Sequence, residues 1–115
     1  MNDEEIIRLP DETSAAKALR LLALTDADHA KAKAAVKRLE KAEKIVYAAA
    51  YIATTGKAED RKSSAYATPE YQKWLDNYEA AVIAFQLLEN RRDRYLHHFE
   101  FYRSLNANRR MAGNV

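Results

Sequence analysis

Apolar positions along this chain recur with helical spacing almost throughout. Between Asp26 and Thr55 they fall at Ala32, Ala35, Leu39, Ala42, Val46, Ala49 and Ala53, in alternating steps of three and four. That is the a/d pattern of a helix pairing with another helix, and it predicts a helix over about 26–55. Thr25 or Asp26 can cap its start, Asp28 adds favourable charge in its first turn, and Gly56 marks its end. A second unbroken seam runs through Tyr71, Trp74, Tyr78, Ala81, Phe85, Leu88, Arg92, Tyr95, Phe99 and Tyr102, in which nine of ten positions are apolar or aromatic. Thr68-Pro69-Glu70 reads as cap, first helical residue and early acid, so the spacing predicts a helix over about 69–105, roughly 55 Å long. One seam is small and the other bulky. They complement each other, and the short connection allows antiparallel pairing. The expected fold is all-α: a long antiparallel helical hairpin preceded by a short helix over about 14–24, with Ala15, Ala18, Leu19 and Leu22 on one face. Residues 1–12 read as a flexible acidic lead, 13–105 as one helical domain, and 106–115 as a flexible basic tail.

Composition supports this organisation. Of 115 residues only two are glycine and two proline, too few for the turns of a β fold. Hydrophobic residues make up 48%, yet much of that is alanine, which buries little area. A single copy would therefore have a thin core. The aromatic seam is also longer than the alanine seam, and Leu75, Val82 and Leu96 widen its apolar face. Together these predict a homo-oligomer, with Tyr95, Phe99 and Tyr102 in the interface. There is no cysteine, which excludes disulfides and thiolate metal sites and fits a cytoplasmic location. No apolar run is long enough to span a bilayer, and the acidic start lacks the features of a signal peptide.

The net charge of +2 is unevenly spread. Residues 1–12 carry five acids and one base; residues 31–44 carry six bases and two acids; residues 86–115 carry six bases and three acids. Lys33, Lys37, Lys41 and Lys44 form a stripe opposite the alanine seam. Such a stripe suits a phosphate backbone, although any exposed helix face is charged and Glu40 and Glu43 lie close by. The second basic group is Arg91, Arg92, Arg94 and Arg103, interleaved with Tyr95, Phe99 and Tyr102 and followed by Arg109 and Arg110. Cations alternating with rings can hold single strands, unless the rings are core, as their spacing suggests. Arg92 interrupts the apolar seam and either pairs with an acid or marks a wetter stretch. His97 and His98 are helical neighbours about 100° apart, so they do not share a metal. No P-loop, dinucleotide fingerprint or HExxH occurs. The chain reads as a non-enzyme with no cofactor and no metal.

The stretch Arg38-Leu39-Glu40-Lys41-Ala42-Glu43-Lys44 opens a further pattern. It leads into an aromatic and small-residue segment closed by Thr55-Gly56. A polar connection with Arg61, Lys62 and Ser63 follows, then the long helix with Tyr78, Phe85 and Leu88, and finally Phe101-Tyr102-Arg103-Ser104-Leu105-Asn106-Ala107. In this plan, across about two thirds of the chain, it resembles the UvsY-type recombination mediators of T-even-like phages. The resemblance implies a ring-forming helical protein in the bacterial host cytoplasm that binds single-stranded DNA. It also implies partners: a strand-exchange recombinase and the single-strand binding protein whose DNA it loads. That family carries basic residues near the end of the first long helix, where this chain has Ala48, Ala49 and Ala50, so the lysine stripe and Arg91, Arg92 and Arg94 would have to replace them. The alternative reading is a small helical adaptor or inhibitor, of the kind phages encode, acting through protein contact alone. A bare apolar patch near Tyr66 to Trp74 would favour that alternative, and a continuous positive groove would favour nucleic acid.

Overall fold

A computed structural model describes residues 1–113. The remaining two residues of the expected basic tail, Asn114 and Val115, lie outside the described residues. Among the described residues the fold is all-α, with helices α1 (Asp3–Ile7), α2 (Glu12–Leu24), α3 (Asp26–Ile52), α4 (Ala58–Tyr66) and α5 (Pro69–Gly113) and no strand. Among the described residues no helix is long and apolar enough to cross a membrane.

Local chemistry sets the helix ends. Asp11 starts α2 with a reciprocal cap. Its carboxylate accepts the Ser14 N–H at 2.7 Å, while the Ser14 hydroxyl oxygen accepts the Asp11 N–H at 2.9 Å. Thr25 ends α2, its hydroxyl donating back to the Leu21 carbonyl at 2.7 Å. Helix α3 stops at Ile52, three residues short of the expected Thr55, and Gly56 turns the chain with φ +110°. Thr68 caps α5, its hydroxyl oxygen accepting the Tyr71 N–H at 3.2 Å. That helix continues to Gly113, so Arg109 and Arg110 are helical, where the sequence suggested a frayed tail. The lead also differs from expectation. Asn2 caps α1 by accepting the Glu5 N–H at 2.8 Å, and Pro10 is buried.

The described residues form two compact units: residues 1–29 with those from Leu87 onward, and Ala30–Gln86. In the first unit α2 runs antiparallel to α5, with Ser14 beside His98 and Leu22 beside Arg92. Pro10, Ala15, Ala18, Tyr95 and His98 are its buried residues among those described, the alanines letting the two backbones come close. In the second unit α3 and α5 form the expected antiparallel hairpin. The Trp74 indole N–H donates to the Leu39 carbonyl at 2.9 Å, and the hydroxyls of Tyr71 and Tyr78 meet the carboxylates of Glu43 and Glu40 at 3.2 and 3.1 Å. Ala50 and Ala65 are buried here. Among the described residues no large side chain is fully buried, so the core of each unit is thin.

The α5 seam agrees with the sequence at all ten positions, none of which is exposed. The α3 seam does not. Ala35, Ala49 and Ala53 are exposed, while Val36, Glu43 and Ala50 turn inward. The inward set keeps the three-four rhythm but shifts it by one residue at alternate steps. Glu43 belongs inside because Tyr71 reaches it, whereas an alanine loses little by facing water.

Candidate nucleic-acid interface

Lys33, Lys37, Lys41 and Lys44 are all exposed along α3. The stripe continues at helical spacing into Ala48 and Tyr51. There it meets a shallow hollow lined by Tyr47, Ala48, Tyr51, Ile52 and Lys62, with no carboxylate in its wall. Helix α4 completes this region by folding back over the end of α3. The Arg61 guanidinium sits 4.2 Å from the centre of the Tyr51 ring and donates to the Tyr51 carbonyl at 3.2 Å, so it both caps α3 and braces the ring.

The rings here form a connected series. Tyr51 to Tyr47 is 6.2 Å between centroids, Tyr47 to Tyr66 4.9 Å, Tyr66 to Tyr71 5.1 Å, Tyr71 to Trp74 5.4 Å, and Trp74 to Tyr78 5.4 Å. The last pair is stacked, at 7° between planes. Tyr66 is 48% exposed, and Tyr47 and Tyr51 are half-buried, so their ring faces are partly open to a ligand. The two acids on this side of α3 are engaged by α5 hydroxyls. The carboxylate of Glu40 raises the Tyr78 pKa, chiefly through their hydrogen bond; burial first, and then Glu43, raises that of Tyr71. Burial also raises Tyr47. All three hydroxyls therefore remain neutral at physiological pH and present no anion to a phosphate.

The second basic group is placed differently. Arg91, Arg94, Arg103, Arg109 and Arg110 are exposed on α5. Arg92 is not available to a ligand. It donates to the Leu22 carbonyl at 2.7 Å, the Thr25 hydroxyl at 2.8 Å and the Asp26 carboxylate at 3.1 Å. The seam arginine thus pairs with an acid, as the sequence allowed, but its shortest bond closes the open end of α2. Tyr95 is 3% exposed and is core of the first unit, so it serves neither as a stacking platform nor as an oligomer-interface residue. Phe99 and Tyr102 are half-buried, and Arg103 lies 6.0 Å from the Phe99 ring. Phe101, beside the α5 arginines, is 49% exposed, so both basic groups have an open ring, but the connected series of rings lies beside Lys44 and Lys62. The lysine stripe and the α5 arginines fall in different units. Tyr47, Tyr51, Arg61, Lys62 and Tyr66 carry no joint signal in the sequence, because only the return of α4 brings them together.

His97 and His98 diverge as helix geometry requires. His97 is exposed, while His98 is buried between α1 and α2. Its Nδ1 lies 3.1 Å from the Ile6 carbonyl, which can only accept, so in the neutral ring Nδ1 carries the proton and Nε2 accepts from the Ser14 hydroxyl at 2.8 Å. That spacing matches a nucleophile and its base, but the serine oxygen already accepts the Asp11 N–H, and the pair acts as a clasp on the start of α2. Of Ala48, Ala49 and Ala50, the first two are exposed and Ala50 is buried, at 4% exposed. No family model, curated protein or solved structure matches this chain.

Proposed function

We propose that this protein is a non-enzymatic, single-stranded DNA-binding accessory of recombination or replication that acts as a homo-oligomer. The observation that carries the reading is the continuity of exposed lysines with a carboxylate-free aromatic hollow. Lys41 and Lys44 supply charge for phosphates, Lys62 supplies more across the hollow, and Tyr47, Tyr51 and Tyr66 supply faces on which bases stack. Every base has such a face, so binding of this kind tolerates any sequence. The mediator role, with a strand-exchange recombinase or single-strand binding protein as partner, rests on the resemblance described above. Self-association is supported by the thin cores and by Ile83 and Leu87, which are 59% and 63% exposed on α5.

Fluorescence anisotropy with labelled oligothymidine at two salt concentrations tests the reading. Binding should weaken steeply with salt, and Lys41→Glu with Lys44→Glu should flatten the slope by about two counterions. Absence of binding at low salt, or a slope unchanged by the double variant, refutes it. Sedimentation equilibrium tests the assembly, and a folded monomer at tens of micromolar overturns that part. The alternative, an adaptor working through protein contact alone, is favoured by one observation: Ile45 and Ile52, seven residues apart on α3, are 73% and 77% exposed. It becomes the better reading if oligothymidine does not bind.

A further inference from the structure

The first unit carries a second carboxylate-free hollow, of about 440 Å³, between α1 and α5. Ile7, Leu9 and Phe101 are among the residues lining it, and they are 79%, 76% and 49% exposed. Single exposed apolar side chains are ordinary, but three converging on one hollow form a patch that loses free energy to water until it is covered. Arg8, Arg94 and His97 also line it and are all exposed. The nearest acid to Arg8 is Glu4 at 3.8 Å, an exposed pair of the kind that contributes little, so the guanidinium remains free to exchange it for another carboxylate.

We infer that this hollow is a docking site for an acidic peptide segment that also carries apolar side chains. The segment's apolar groups would cover Ile7, Leu9 and Phe101, and its carboxylates would meet Arg8 and Arg94, whose planar forks suit bidentate pairing. Charge complementarity selects an anion. The aliphatic chains of Ile7 and Leu9, the most exposed apolar groups of the hollow, favour a peptide over a nucleic acid, whose bases would find only the rings of Phe101 and His97 to stack on. A second copy of this chain or a DNA strand is the competing occupant.

The test is anisotropy of a fluorescein-labelled peptide of alternating aspartate and leucine, about ten residues long, titrated with the full chain. Binding in the micromolar range is expected, weakened about tenfold or more by Arg94→Glu and by Leu9→Asp. Lys44→Glu and Tyr51→Ala should leave it unchanged, and a lysine-leucine peptide should not bind. Both hollow substitutions fall on exposed residues, and thermal melts confirm folding; Leu9→Asn replaces any variant that melts early. Four results overturn the inference. These are no peptide binding, equal binding of the lysine-leucine peptide, an oligothymidine affinity that falls with Arg94→Glu as far as the peptide's does, or a Leu9→Asp variant that loses self-association but still binds the peptide.

Discussion

Arg92 offers a sharp test of how the first unit is held together. The residue sits in an apolar seam with its side chain only 17% exposed, and it serves three acceptors on the α2–α3 junction. The acceptors are unequal. Asp26 is 79% exposed, so its ion pair should contribute only ~0–1 kcal/mol. The Leu22 carbonyl is a helix-end acceptor, and charge-assisted bonds of this kind contribute about 1.5–3 kcal/mol. Replacing Arg92 by methionine keeps the apolar stem but removes all three donors. Allowing for water reaching the vacated carbonyl, the loss should be roughly 2–4 kcal/mol. Urea denaturation of the full chain followed by far-UV circular dichroism measures it. Arg92→Lys should recover less than half, because an ammonium cannot span Leu22, Thr25 and Asp26 as the guanidinium does. Asp26→Asn should cost at most about 1 kcal/mol. A cost below about 1 kcal/mol for Arg92→Met, or an equal cost for Asp26→Asn, would show that Arg92 does not hold the end of α2.

Other consequences follow from the second unit. Gly56 has φ +110° and nothing within 4 Å of where a Cβ would stand, so Gly56→Ala should destabilise by backbone strain alone, about 1–2 kcal/mol in the same denaturation assay. The raised pKa values of Tyr47, Tyr71 and Tyr78 predict tyrosinate absorbance that develops late, above the ordinary value of about 10. Because these folded-state values lie above the unfolded ones, the associated stability is complete below about pH 10 and is lost as pH rises through the folded values. Tyr78→Phe should remove one late-titrating component, and loss of a component that titrates at the ordinary value instead would contradict the Glu40 hydrogen bond.

How much of this was legible in the sequence depended on side-chain size. The α5 seam could be read directly, because Trp74, Phe85, Leu88 and Tyr95 each have much to lose by facing water. The α3 seam is ambiguous in the sequence because alanine is nearly indifferent to its side: Ala35 and Ala49 fit the three-four pattern as well as Ala50 does, and only the bulk of Tyr71 and Trp74 decides which residues turn inward. Helix α1 leaves no mark in the sequence because five residues of mostly acidic character show no periodicity. What positions it is tertiary, namely the hydrogen bond from His98 to the Ile6 carbonyl and the 2.8 Å ion pair between Lys17 and Glu5, which lowers the Glu5 pKa. The candidate interface was half legible. Lysine spacing marked the stripe, but the rings that adjoin it come from two helices and depend on the path of α4. The basic and aromatic end of α5 looked better in sequence than in three dimensions because Tyr95, a seam residue, is spent on the core.

The claim that most needs testing is the location of the strand. Photocrosslinking of the full chain to bromodeoxyuridine-substituted oligothymidine, followed by peptide mass spectrometry, reads it directly. Crosslinks at Tyr47, Tyr51 or Tyr66 are the expected result. Crosslinks confined to α5 beyond Arg91, at residues such as Phe101 and Tyr102, would place the strand on the other basic group and contradict the account.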